Sequence, residues 1–213
     1  YGTRNWSAHT DRAMLPLRGM IPVKTDGLLG CSKNIGVTSM VQSSLRLQGQ
    51  MMHVGTAVGT VAALALREGV QPRAIASSFR HVREAQRTLL RGSEGPGTLI
   101  WPWHDVRPED PHFEAANMLA VTGIWRPEAD SLFFGPHKAV TRRELAGAVA
   151  RLCRSLPGAK EWPTVSNPLY GDVRADDPDR PFIEAMVSWG SFSPLGKNFT
   201  PDATATCATL HEW

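Results

Sequence analysis

The segment LRLQGQMMHVGTAVGTVAALAL, Leu45 to Leu66, passes from a polar, glycine-containing turn straight into a helix with Gly55 and Gly59 in its interior. Glycine costs about 1 kcal/mol per helix position relative to alanine, so two of them four residues apart call for a reason. They fall on one face with Ala57, Ala62 and Ala63 close by, a nearly smooth surface that a sheet or a flat ring could approach. The entry turn aims backbone N–H groups and the positive end of the helix dipole at whatever lies ahead of it. Two readings are open at this point: a ligand at the helix start, or a helix packed tightly on a sheet with no ligand. A membrane span is not expected, because the apolar run is roughly 16 residues, short of the ~20 a bilayer requires, and His53, Thr56 and Thr60 interrupt it.

The flanking order separates the two readings. PLRGMIP (Pro16 to Pro22) is followed by TDGLLGCSKNIGVTSM (Thr25 to Met40), then the helix, then REGVQPRAI (Arg67 to Ile75). Over residues 13 to 90 this order resembles the C-terminal end of a family of bacterial FAD-dependent oxidoreductases in the glutathione-reductase-like flavoprotein group. The residues that carry the resemblance are Leu28-Leu29, Lys33, Leu45-Arg46-Leu47-Gln48 and Gly55-Thr56-Ala57-Val58-Gly59. The resemblance implies that residues 27–37 form the last strand of a dinucleotide-binding sheet and that the next helix points its N-terminus at the flavin. Arg46, Leu47, Gln48, Gly49 and Gln50 would then lie nearest the ring of FAD, where the dipole favours negative charge on the reduced cofactor. Gly49 stands where the family has a proline. His53 is expected to be a packing or supporting residue, and Cys31 and Met51 to be core.

The family's G-x-G-x-x-G fingerprint, which holds the FAD pyrophosphate, follows no strand-like stretch here; Gly92, Gly95 and Gly97 sit in a Ser/Pro-rich linker. The chain begins at Tyr1 without an initiator Met or a signal peptide. The expectation is therefore the C-terminal part of a longer flavoprotein, or one chain of a cleaved one. FAD binding would require the N-terminal part of the same flavoprotein as partner. The small-molecule substrate, the electron acceptor and the catalytic base are not legible.

At 213 residues, 42% hydrophobic and 20% charged, the chain reads as globular, with room for one or two domains. A net charge of +3 and singly spread arginines read as solvated faces, and no nucleic-acid module is expected. Cys31, Cys153 and Cys207 form no CxxC and no zinc pattern, so no metal site is expected, and a Cys153–Cys207 bridge stays open. Asn5-Trp6-Ser7 and Asn198-Phe199-Thr200 match the glycosylation triplet, a pattern that recurs by chance.

Along the chain, helices are expected over about 49–68, closed by Gly69 and Pro72, and over about 74–91. Residues 1–92 are read as the C-terminal segment of an FAD-binding domain and 93–99 as a linker. Beyond it, Asp105-Val106-Arg107 and Asp172-Val173-Arg174 stand 67 residues apart, as do Asp110-Pro111 and Asp177-Pro178, and Gly123 and Gly190. Phe134-Gly135-Pro136 matches Phe199-Thr200-Pro201, and Val140-Thr141 matches Ala205-Thr206. Pro111 suits a first helical position, and Thr141 with Glu144 makes a capping box. The two units, 100–157 and 158–213, resemble S-layer homology repeats. The second is degenerate, with Cys207 and Thr209 at the motif's Arg and Glu. That resemblance implies a cell-surface or extracytoplasmic location and, through Arg142, contact with an acidic cell-wall glycan. The plainer reading leaves Arg142 and Arg143 solvated and this half a helical support. The expected fold class is α/β in the N-terminal part and mainly α helical repeats in the C-terminal part.

Overall fold

The computed structural model describes residues 14–92, 97–125, 131–156, 158–159, 161–162, 169–189 and 197–206. Gly95, Gly190, Cys207, Thr209 and the triplet Asn5-Trp6-Ser7 lie outside them. The chain divides into two compact units, Tyr1–Ile100 and Trp101–Trp213.

In unit 1 the region expected as a strand, 27–37, is irregular, and the described residues contain no β-ladder. Its amides bond to a short 3-10 helix, Leu17–Met20, instead: Gly30 N donates to Met20 O at 2.6 Å and Gly36 N to Gly19 O at 2.7 Å. A strand exists only beside a partner strand, and this segment lies against a helical turn. Gly30 is obligatory there, since a Cβ would sit 2.1 Å from Asn34 O.

Helix α1, Ser39–Leu45, is capped by Thr38, whose Oγ1 accepts from Val41 N. Helix α2, Gln48–Glu68, follows after Arg46 and Leu47 and ends at Gly69, left-handed at φ 65°, with Val70 N donating to Ala65 O at 3.0 Å. Length and composition alone would let α2 pass for a membrane span. It is the central helix of unit 1: Val61, Leu64 and Ala65 pack with Ile75 and Ala85 against Leu17, Leu29 and Val70.

The single helix expected over 74–91 is two, α3 (Pro72–Ser77) and α4 (Phe79–Arg91). Ser78 takes an extended conformation and its Oγ accepts from His81 N at 3.3 Å, so one residue ends α3 and caps α4. Residues at the start of α3, Arg73 and the N-cap Gln71, also hold the 22–27 loop. Arg73 donates to the carbonyls of Pro22 and Val23 and to Asp26 Oδ1, and Gln71 Oε1 accepts from Gly27 N at 2.8 Å.

Unit 2 contains helices α5 (Phe113–Val121), α6 (Arg142–Ser155) and α7 (Arg180–Ser188). Pro111 falls in the turn before α5 rather than at its first helical position, because Asp110 closes that turn by accepting from Arg107 N at 2.6 Å. The motif positions noted in the sequence make matching bonds. Asp105 accepts from the amides of Phe134 and Gly135 at 2.8 and 2.7 Å; Asp172 accepts from those of Phe199 and Thr200 at the same two distances. Val106 and Val173 are both buried. Trp103 meets Phe134, and Tyr170 meets Phe199, each at 5.5 Å between ring centroids. The buried polar side chains Asn117 on α5 and Glu184 on α7 accept from Trp101 N and Leu169 N. Gly135 and Thr200 are both left-handed, at φ 70° and 53°.

The capping box at α6 is formed by Thr141 and Glu144. Residues 199–205 dock beside it: Arg142 N donates to Ala203 O, Arg143 N to Pro201 O and Ala205 N to Val140 O. The core of this region gathers Ala146, Ala150, Tyr170, Val173, Ile183, Met186 and Phe199.

Tyr170 is 2% exposed, and its hydroxyl has no hydrogen-bond partner among the described residues. Burial pushes its pKa up and outweighs the opposing pull of Arg142, with Asp172 adding a smaller upward push. A raised acid pKa means that the unfolded chain ionises first, so the stability from this group is complete below pH about 10 and falls above it. Tyr170→Phe is expected to leave stability at neutral pH unchanged or raised by about 1 kcal/mol. It should also flatten the loss of stability above pH about 10. Urea denaturation at neutral and alkaline pH checks both, and a loss of 2 kcal/mol or more at neutral pH would mean that the hydroxyl is bonded.

Candidate functional site

Two places in the chain gather chemistry, one in each unit. In unit 1 it is the start of α2. Leu47, the N-cap residue, is extended at ψ 147° and offers no side-chain acceptor to the first turn. The first bond of the helix runs from Met51 N to Leu47 O at 3.0 Å, so the amides of Gln48, Gly49 and Gln50 precede the ladder. Arg46, Leu47, Gln48 and Gly49 are exposed, and Arg46 closes α1 in a helical conformation. Gln50 is half-buried, and its Oε1 is a buried acceptor without a donor among the described residues. A Cβ on Gly49 would meet nothing within 4 Å. These five residues thus lie together at one helix end, with Gly49 inside the first turn rather than in the turn before it.

The neighbouring expectations fare differently. Gly55 would bring a Cβ to 3.9 Å from Cys31 Sγ, an ordinary contact, and Gly59 meets nothing within 4 Å. Neither glycine lies under a close neighbour in the described chain, and the face around Gly59 is bare. Cys31 is exposed rather than core, His53 is exposed and Met51 is half-buried. Cys31 and Cys153 are free thiols.

In unit 2 a cleft of about 450 Å³ is lined by Trp125, Phe133, Phe134, Lys138, Arg143, Glu144, Gly147 and Arg151, among others. Arg143, Gly147 and Arg151 recur every four residues along one face of α6. Gly147 makes room for its neighbour, since a Cβ there would sit 3.0 Å from Arg151 Nη1. Arg151 Nε donates to Ile124 O at 2.7 Å, and its guanidinium stands 5.2 Å from the Phe182 ring centroid.

Arg142, the residue to which the resemblance assigns glycan contact, does not line this cleft. It is half-buried, its Nε donates to Phe199 O at 2.8 Å, and its guanidinium lies 5.0 Å from the Phe199 ring centroid. Arg143 is not simply solvated either. It bonds Asp177 and Asp179 through Nη1 at 3.1 and 3.0 Å and Asp202 through Nε at 2.9 Å. Burial opposes its charge, but the bonds to Asp179, Asp202 and Asp177 outweigh this and hold its pKa above the usual arginine value. It therefore stays cationic at every pH at which the protein folds. Sequence reasoning missed Arg143, Gly147 and Arg151 as a set; their spacing of four was the available signal. Among the described residues no group of three or more His, Cys, Asp or Glu side chains is placed to hold a metal ion.

The two arginines should differ in their cost of removal. Arg143→Ala leaves Asp177 and Asp179 facing each other without a counter-charge and is expected to cost about 2–3 kcal/mol. Arg142→Ala loses one carbonyl bond and a ring contact, about 1–2 kcal/mol. Chemical denaturation of both variants checks the order, which a larger loss in Arg142→Ala would reverse.

Residues 2–89 match a family model described as FAD dependent oxidoreductase. No curated protein and no solved structure matches the chain. The N-terminal unit is thus similar in sequence to FAD-dependent oxidoreductases, and the start of α2 lies inside the matched region.

Proposed function

We propose that residues 1–92 are the C-terminal segment of the FAD-binding domain of an oxidoreductase, and that the start of α2 faces the flavin ring. The observation that carries this reading is the character of that helix start within the family match. Three amides ahead of the hydrogen-bond ladder share this helix end with the open space over Gly49. Free donors at a helix start suit the edge of a ring that accepts hydrogen bonds. These residues fit the ring end of FAD. They do not fit its pyrophosphate, for which the sequence offers no G-x-G-x-x-G loop.

FAD, when bound, supplies the acceptor for hydride taken from a small-molecule substrate. The amides of Gln48, Gly49 and Gln50, with the helix dipole behind them, stabilise negative charge on the adjacent ring edge. Arg46 adds a full positive charge at the same end. Gly49, without a side chain, lets the backbone approach. The pyrophosphate contacts would come from the N-terminal part of the same flavoprotein.

The 213-residue chain alone is expected to purify without visible flavin absorbance and to become yellow only with that N-terminal part. In the assembled protein, Arg46→Ala should move the flavin potential to a more negative value, and Gly49→Leu should lower flavin content at least about tenfold. Stoichiometric FAD on the lone chain would refute the division of the site. An unchanged potential and flavin content in the two variants would refute its location.

A second reading concerns unit 2, where the cleft joins the cations Lys138, Arg143 and Arg151 to the rings of Trp125 and Phe133. Cations beside an exposed Phe133 ring and a half-buried Trp125 ring suit an acidic sugar polymer, and residues 100–157 and 158–213 would then be two S-layer-homology-like repeats of a cell-surface attachment module. On this reading Arg151→Ala should weaken binding of the chain to isolated acidic cell-wall polymer at least about tenfold, as read by co-sedimentation. The absence of binding in the unmodified chain would leave unit 2 a structural support.

A further inference from the structure

Helix α2 carries two uncharged faces, and unit 1 uses one of them. Val61, Leu64 and Ala65 are buried with Ile75 of α3 and Ala85 of α4. On the opposite side Met52, Thr56, Gly59, Ala63 and Leu66 are all exposed, Met52 at 74% and Leu66 at 84%. At 3.6 residues per turn these five fall within roughly 80° of one another, along about 21 Å of helix. No Asp, Glu, Lys or Arg stands anywhere from Gln48 to Leu66.

Singly exposed apolar side chains are ordinary, but an uncharged face that runs the length of a helix is not a solvent surface. Its profile is specific: the large side chains of Met52 and Leu66 stand at the two ends, with Gly59 and Ala63 as a low floor between them. A Cβ on Gly59 would meet nothing within 4 Å. Glycine disfavours a helix interior, and the described chain gives this one nothing in return. The face begins one turn past the amides of Gln48, Gly49 and Gln50, so whatever covers it also borders the helix start.

We propose that this face of α2 lies on the apolar face of a parallel β-sheet belonging to the N-terminal part of the same flavoprotein. The proposal rests on the flavin reading and adds the surface through which the two parts join. The pyrophosphate of the cofactor needs a glycine-rich loop at the end of a parallel strand, and the sequence offers no such loop. One cofactor molecule spans ring and pyrophosphate, so the strand that carries the loop comes within a cofactor's length of the start of α2. The described residues of unit 1 contain no strand for α2 to lie on, whereas a dinucleotide-binding sheet takes helices on its faces. Parallel strands are buried on both sides and nearly continuous in Val, Ile and Leu, which matches a face without charge. Gly59 and Ala63 let that sheet approach the helix backbone. A second copy of this chain is the poorer occupant. It would bring together two surfaces of the same sign, since residues 1–100 hold twelve Lys and Arg against five Asp and Glu.

The experiment is thiol labelling with a maleimide. Met52→Cys, Gly59→Cys and Ala63→Cys are made singly in a background of Cys31→Ser, Cys153→Ser and Cys207→Ser, with Thr88→Cys at an exposed position of α4 as reference. Each is labelled in the 213-residue chain and in the full-length flavoprotein. The three α2 thiols should label at least about tenfold more slowly in the full-length protein, and the reference alike in both. Met52→Cys and Ala63→Cys give the answer even where Gly59→Cys perturbs the helix. Labelling is repeated after the flavin is stripped. Protection that persists without flavin supports the sheet contact, whereas protection seen only with flavin bound overturns it. Equal labelling of the α2 thiols in the two proteins, or equal slowing at Thr88→Cys, also overturns it. So does slower labelling of the 213-residue chain as its concentration rises, which would put a second copy on the face. The flavin reading is judged separately by the Arg46→Ala potential, so either can fail alone.

Discussion

A carboxylate that accepts two consecutive backbone amides fixes a loop that has no ladder to hold it, and unit 2 depends on two such carboxylates. Asp105 and Asp172 each hold a Phe-x-Pro corner, and each corner places an aromatic ring on the core. The valine after each aspartate is buried, so one dipeptide both ties the loop and anchors it. Around the second corner, α6 takes its amide and side-chain partners from residues 199–205, and Arg143 ties in the turn before α7. The helices are thus organised by side-chain-to-backbone bonds rather than by helix–helix packing alone.

Unit 1 is organised the other way, around a single long helix. One side of α2 carries the core, and the side around Gly59 is bare. Its two ends have different chemistry. The C-terminal end is closed by Gly69 and Val70, whereas the N-terminal end presents the amides of Gln48, Gly49 and Gln50. That asymmetry is why the beginning of α2, and not its glycine face, carries the functional argument.

What the sequence made legible follows the range of the interactions. The end of α2 could be read because Gly69 and Pro72 act locally, and the Thr141–Glu144 capping box for the same reason. The strand expected at 27–37 failed because extended structure depends on a partner that sequence does not display; those amides went to Gly19 and Met20. Ser78 looked like a helix interior residue, yet its hydroxyl outcompeted the backbone and split the helix. At the cleft, adjacency misled. Arg142 and Arg143 are neighbours in the chain, but successive residues on a helix point about 100° apart. One turns to Phe199 and the other lines the cleft.

The two Phe-x-Pro corners also differ in how comfortably they are held. Both require a left-handed residue; Gly135 adopts that conformation freely, whereas Thr200 brings a β-branched side chain into it. The second corner therefore stores backbone strain of about 1–3 kcal/mol, compensated by Asp172 and by the Thr200 hydroxyl donating to Phe199 O at 2.7 Å. Local opening draws on such stored strain. The amides of Phe199 and Thr200 should then exchange with solvent deuterium well before those of Phe134 and Gly135, making the second corner the place where unit 2 begins to come apart.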